Sequence, residues 1–260
     1  MTAPSRLLIV ENATEVATRA AELVIEEARS AVESRGVFHW CTTGGSTPAA
    51  LYAALRSEFY VERMPWAKTE IWFGDDRHVP RTSPLSNLTS IDAVLLSASA
   101  NGTPSPALPQ NVHPWPTDLE GAQAVEGYLR AIQSAGITCT ATGVPIFDLV
   151  MIGIGGDAHC LSVFPGSPLA TSGAPVAAPV PAPTHIEPHV PRLTFSLELL
   201  TAARAICATV AGSNKSAALA QIIEGEGNAV DLPAKAALLP TATWIVDRAA
   251  AAELHSTTGR

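Results

Sequence analysis

An aspartate and a histidine two residues apart on a glycine-rich turn, Gly155-Gly156-Asp157-Ala158-His159, have the means to move protons. The carboxylate can fix the imidazole tautomer or raise its basicity, and the amides of Gly155 and Gly156 are candidates to hold an oxyanion. Two other readings of the turn fare worse. A dinucleotide fingerprint would need a third glycine where Ala158 stands, and an acid about 20 residues on, where none occurs. A metal centre would need ligands near His159, but Asp157 and Cys160 diverge in direction, and no HxxxH or CxxC accompanies them.

Three further stretches carry groups suited to an anionic ligand. Thr42-Thr43-Gly44-Gly45-Ser46-Thr47-Pro48 reads as a strand-to-helix turn, with Thr47 as the expected N-cap and Pro48 as the first helical residue. Its hydroxyls and the free amides of the helix start form an anion cradle. Asp75, Asp76, Arg77, His78 and Arg81 crowd directly behind an apolar run and read as a loop. In Ser213-Asn214-Lys215, Ser213 is the expected N-cap, which puts Lys215 in the first turn. A cation there opposes the helix dipole unless an anion arrives to be bound by both. Asn214 excludes a Walker A loop, which has glycine at that place.

The elements that must position these groups alternate along the chain. Strand-like runs are Arg6–Val10, Val37–Thr43, Glu70–Gly74, Phe147–Ile154, Ala203–Gly212 and Thr241–Asp247. Helical patterns lie between them, at about 14–34 with Asn12 and Glu15 spaced as a cap and its partner, at 48–59, at 118–134 and at 214–225. Alternation of this kind predicts a mostly parallel sheet covered on both faces, with ligands at the carboxyl ends of its strands. Residues 165–191 hold eight of the 21 prolines and read as an extended crossing segment or surface loop.

The 260 residues are treated as one α/β domain spanning 1–260. A net charge of −8 argues against a nucleic-acid surface, so an anionic substrate needs a local pocket working against the global field. The hydrophobic fraction is 47%, yet no apolar run approaches the length of a membrane span, and the start does not read as a signal peptide. Cys41, Cys139, Cys160 and Cys207 are too scattered for a zinc ribbon or a disulfide framework. A cytoplasmic protein, monomeric or weakly dimeric, is the expectation.

"GGSTP", "WFGDDRHVP" with "SPLSN", "DLVMIGIGGDAHCLSVFPG", "PRLTFSLELLTAAR" and "GSNKSAAL" occur in one order from about residue 40 to 220. In that series the chain resembles the bacterial 6-phosphogluconolactonases of the glucosamine-6-phosphate isomerase superfamily. The resemblance implies a three-layer, Rossmann-like sheet with helices on both faces, no metal or other cofactor, and hydrolysis of a small phosphorylated sugar lactone. It implies that His159 is the general base with Asp157 beside it and that Asp75 is an acidic group of the site. It further implies that Arg77, Lys215 and the Gly44-Gly45-Ser46 loop hold the phosphate, and Arg192 matches a family arginine whose role is left open. The family usually reads Gly-Pro-Asp-Gly-His-Thr-Ala-Ser at the histidine turn. Here Ala158 replaces a glycine, which would be strained at positive φ, and Leu161 adds bulk. The lysine of the family's Pro-Lys-Pro-Pro segment is missing near "HIEPHVPR".

Overall fold

The computed structural model describes residues 6–98, 102 and 104–255. The strands are β1 (Arg6–Val10), β2 (Phe38–Thr42), β3 (Thr69–Phe73), β4 (Asp75–Arg77), β5 (Val112–His113), β6 (Leu149–Ile152), β7 (Ala177–Val180), β8 (Arg192–Phe195), β9 (Ala205–Val210) and β10 (Ala242–Asp247). The α-helices are α1 (Ala13–Arg35), α2 (Ser46–Leu55), α3 (Glu58–Val61), α4 (Leu88–Ile91), α5 (Gly121–Ser134), α6 (Glu198–Ala202) and α7 (Ser216–Ile223).

Seven strands form a parallel sheet in the order β1-β10-β9-β6-β2-β3-β5. From β6 the sheet grows one way through β2, β3 and β5 and the other way through β9, β10 and β1. The reversal falls between β6 and β2, which is where open α/β sheets leave a crevice. Alternation puts helices on opposite faces. Trp40 of β2 meets Tyr52 of α2 edge-on, with ring centroids 6.0 Å apart. Trp72 of β3 lies in register with Cys41, not Trp40, so it points the other way, and there it meets Tyr128 of α5 at 5.9 Å. Helix α1 packs beside α2, completing three layers.

Local sequence explains the longest helix. Asn12 Oδ1 accepts the Glu15 amide at 3.1 Å, while Glu15 reaches back to the Glu11 amide, one residue before the usual capping-box partner. The buried stripe of Val16, Ala20, Val24, Ala28 and Ala31 follows helical spacing. Gly36 ends the helix at φ 80, donating its amide to Val32. Among the described residues no helix is long and apolar enough to cross a membrane.

Three expectations change. The acid–arginine stretch begins as strand β4, which pairs antiparallel with β8, and β8 pairs in turn with β7 from the proline-rich segment. Pro179 fits there because β7 is an edge strand whose missing amide breaks no interior ladder. The cap of α2 is Gly45 at φ 112, so Thr47 and Pro48 lie inside the first turn. A 3-10 turn, Ser213–Lys215, precedes α7, making Lys215 the cap residue of that helix.

At the amino edge of the sheet, buried Asp148 accepts the His39 amide at 2.8 Å and the Arg35 guanidinium at 2.8 Å, with Arg204 at 3.4 Å. Both arginines are partly exposed, which screens their contribution. Asp148→Ala is expected to lower the unfolding free energy by about 2 kcal/mol, mainly through the orphaned amide and lost ion pairs. Denaturant titration checks this; an unchanged midpoint would mean that water replaces the carboxylate.

Candidate active site

Four neighbouring strands, β9, β6, β2 and β3, end at one edge of the sheet, and the segments that follow them gather around a cavity of about 310 Å³. Gly44 and Gly45 enter from β2, Asp75 and Arg77 from β4 just beyond β3, Gly155 and His159 from beyond β6, and Lys215 from beyond β9. Arg192 of β8 completes the wall. Ser46 opens α2 next to this wall.

The turn after β6 holds its dyad tightly. His159 Nδ1 lies 2.5 Å from Asp157 Oδ1, and the same oxygen accepts the His159 amide at 3.2 Å. An ionised carboxylate only accepts, so Nδ1 carries the hydrogen, and in the neutral ring the lone pair is then on Nε2. Among the described residues Nε2 has no hydrogen-bond partner, and His159 lines the cavity. Burial alone would push the Asp157 carboxyl up. Hydrogen bonds and charge from His159, with a further bond from His185, outweigh it and hold the group well below the usual range.

Gly155 serves this turn sterically. A Cβ there would overlap His159 Nδ1 and Asp157 Oδ1. Its amide already donates to the His159 carbonyl at 2.8 Å, so it is not available to an oxyanion. Gly156 is exposed and does not line the cavity. Both oxyanion candidates are thus set aside, and the residues before them that line the cavity are Gly153 and Ile154. Ala158 and Leu161 adopt φ of 65 and 53, a left-handed conformation that costs a residue with a Cβ roughly 1–2 kcal/mol. The bulk of Leu161 is accommodated because Gly74 has no side chain; a Cβ at Gly74 would lie 2.6 Å from Leu161 Cδ2. Burial pushes the thiol of neighbouring Cys160 far up.

The opposite wall is cationic. Arg77 and Arg192 are cross-strand partners, an arrangement unfavourable for like charges. Arg192 is only 3% exposed, and its guanidinium donates to the carbonyls of Val190 and Pro188, both at 2.7 Å. Burial first, and then Arg77, lower its proton affinity. Arg77 donates to the Leu85 carbonyl at 2.8 Å. None of Arg77, Arg192 and Lys215 forms an ion pair among the described residues. Three cations without ion-pair partners thus face one cavity of a chain with net charge −8, an arrangement suited to an anion, with Asp75 and Glu187 in the same lining. Gly44 lets the loop after β2 approach, since a Cβ there would sit 2.5 Å from Asn87 Oδ1.

A model of the family "Glucosamine-6-phosphate isomerases/6-phosphogluconolactonase" matches residues 11–246. The chain belongs to this family. The 6-phosphogluconolactonase of Nostoc sp. is 30% identical over 250 residues, covering 95% of this chain and 97% of that protein. The structure of 6-phosphogluconolactonase from Trypanosoma cruzi superposes with a TM-score of 0.81 at 21% identity, covering 98% of this chain and 99% of the other. A monomeric glucosamine-6-phosphate deaminase superposes with a TM-score of 0.75 at 17% identity, covering 95% and 99%. At those identities the two structures show the fold alone, and the fold hosts both chemistries.

Within the family's fold, several supporting residues escaped the sequence reading. Ser162 Oγ donates to Asp75 Oδ2 at 2.6 Å across 87 positions, and Asn87 donates to the Asp75 carbonyl at 3.1 Å. Asp76 is fully buried, accepts the amides of Arg77 and Asn87, and is pushed up to about 6 by that burial. His185 holds the far oxygen of Asp157 at 2.9 Å. No spacing signal links partners as distant as Ser162 and Asp75 or His185 and Asp157; the fold brings them together. Among the described residues no group of three or more His, Cys, Asp or Glu could hold a metal ion. Gly155→Ala is expected to leave the protein folded and to break the Asp157–His159 contact. The strongly hydrogen-bonded imidazole proton in a ¹H NMR spectrum is the measurement, and its persistence in the variant would mean that the turn accepts a Cβ.

Proposed function

We propose that this chain hydrolyses 6-phospho-D-glucono-1,5-lactone to 6-phospho-D-gluconate, the lactone-opening step of the oxidative pentose phosphate pathway. The observation that carries the reading is one cavity lined both by a base-competent imidazole and by three unpaired cations. Family membership narrows the substrate class to phosphosugars, and a cavity of about 310 Å³ suits one small phosphorylated ring.

Neutral His159 takes a proton through Nε2 from a water that attacks C1 of the lactone. A C–O bond forms, and the carbonyl oxygen takes up the negative charge. The amides of Gly153 and Ile154, two residues that line the cavity, are the proposed donors to that oxygen. The intermediate collapses with cleavage of the bond from C1 to the ring oxygen, and the His159 imidazolium returns the proton to that oxygen. Asp157 keeps the tautomer and compensates the transient positive charge on the ring. Arg77, Arg192, Lys215 and the Gly44-Gly45-Ser46 helix start hold the phosphate, and that remote grip orients C1 toward the base. Asp75, braced by Ser162, forms part of the cavity wall that faces the sugar hydroxyls.

Acid release from freshly generated lactone, followed at constant pH, tests the reading, because an isomerase or deaminase acting on the same phosphosugars releases no carboxylic acid. No acid above the spontaneous rate would overturn it. His159→Ala is expected to cut kcat by about 10²- to 10⁴-fold with KM little changed. Lys215→Ala is expected to raise KM for the phosphorylated lactone about tenfold or more, the loss of a charge-assisted bond. An equal penalty on an unphosphorylated lactone would move the phosphate away from Lys215.

A further inference from the structure

We propose that His185 is a positioning residue of this reaction: from the proline-rich segment beside the cavity it holds the Asp157 carboxylate in the orientation that serves His159. The inference rests on the lactonase reading given above.

Asp157 stands between two imidazoles. Oδ1 faces His159 Nδ1 at 2.5 Å, and Oδ2 faces His185 Nε2 at 2.9 Å. Phe164 packs against both rings, tilted at 52° to His159 with centroids 4.8 Å apart and edge-on to His185 at 5.6 Å. Carboxylate, phenyl ring and two imidazoles therefore close a loop of four side chains, in which His185 is the member contributed from 28 positions along the chain. Its neighbours Ile186 and Glu187 line the cavity while His185 does not, so it acts on substrate only through Asp157.

Two physical effects follow from the second contact. A carboxylate bound at one oxygen can rotate about its Cβ–Cγ bond, and a donor on the other oxygen fixes the plane in which Oδ1 meets Nδ1. The same donor also draws negative charge away from Oδ1. His159 then faces less than a full negative charge at the oxygen it contacts. An isolated surface ion pair, screened by solvent, would do neither. His185 is 51% exposed at its side chain, so replacing it leaves the core intact.

The test uses the full chain with His185→Ala, His185→Gln and, as reference, His159→Ala. Lactone hydrolysis is followed between roughly pH 5 and 8, where imidazoles titrate. Besides Asp157 and His185, the charged groups around His159's cavity are Asp75, Arg77, Arg192, Lys215 and Glu187, and all are the same in the variants. His185→Ala is expected to lower kcat about tenfold, the size of effect that slight misplacement of a reacting group produces, with KM nearly unchanged. Its acid limb should move to higher pH, because His159 then faces the whole carboxylate charge. His185→Gln, whose amide reaches Oδ2 without titrating, should recover most of the kcat. Wild-type kcat and acid limb in His185→Ala, with His159→Ala inactive, would overturn this inference and leave the lactonase reading standing. A folded His185→Gln as impaired as His185→Ala would overturn it too. Full turnover in His159→Ala would remove the base assignment and, with it, the inference.

Discussion

Two like charges held opposite each other in an antiparallel ladder are the constraint on which this molecule's chemistry rests. Arg77 and Arg192 meet because β4 pairs with β8, and β8 is itself anchored to β7. Neither arginine forms an ion pair among the described residues, although the charges of nearby Asp75 and Asp76 act against the repulsion felt by Arg192. The ladder's backbone bonds, and carbonyls of the 188–190 segment, keep Arg192 in place in spite of it. An unfavourable term of this kind is one that the phosphate of the proposed substrate would relieve on binding. Lys215 lines the same cavity, so three cations and the two acids Asp75 and Glu187 face it in a chain whose net charge is −8.

Much of the framework was legible in the sequence, for reasons that differ by element. The central strands announced themselves because both faces are covered, so β2, β3, β6, β9 and β10 are runs of apolar residues with little alternation. Helix α1 was legible from its period and its Asn12 cap. Strand β4 was not. Its residues are Asp75, Asp76 and Arg77, and ionisable side chains read as loop; the two aspartates are buried because Ser162, Asn87 and Ser86 arrive from elsewhere to satisfy them. The pair Asp157 and His159 could be proposed from spacing because both lie on one turn. The contribution of His185 could not, since a proline-rich stretch carries no periodicity to say where it returns. The oxyanion expectation failed at Gly155 for a local reason: the bond that closes the turn uses the very amide the reaction would want.

The turn itself is conformationally costly. Ala158 and Leu161 take up left-handed backbone angles around His159, and bonds from Ala158 to Gly155 and from Ala234 to Ala158 hold the first of them there. Strain of this kind persists only where the surroundings over-determine it, and it gathers where geometry matters more than stability. Gly74, lacking a side chain, gives Leu161 the room that a larger residue would deny it.

Cys160 adjoins the imidazole in sequence yet is fully enclosed, its sulfur kept as the neutral thiol by its apolar surroundings. Peroxides and electrophiles attack thiolates, so this sulfur offers them neither charge nor access. The chain thus keeps a sulfur within one peptide bond of His159 in its least reactive state. The exposed Cys139, on a different segment, is the sulfur that such reagents reach first.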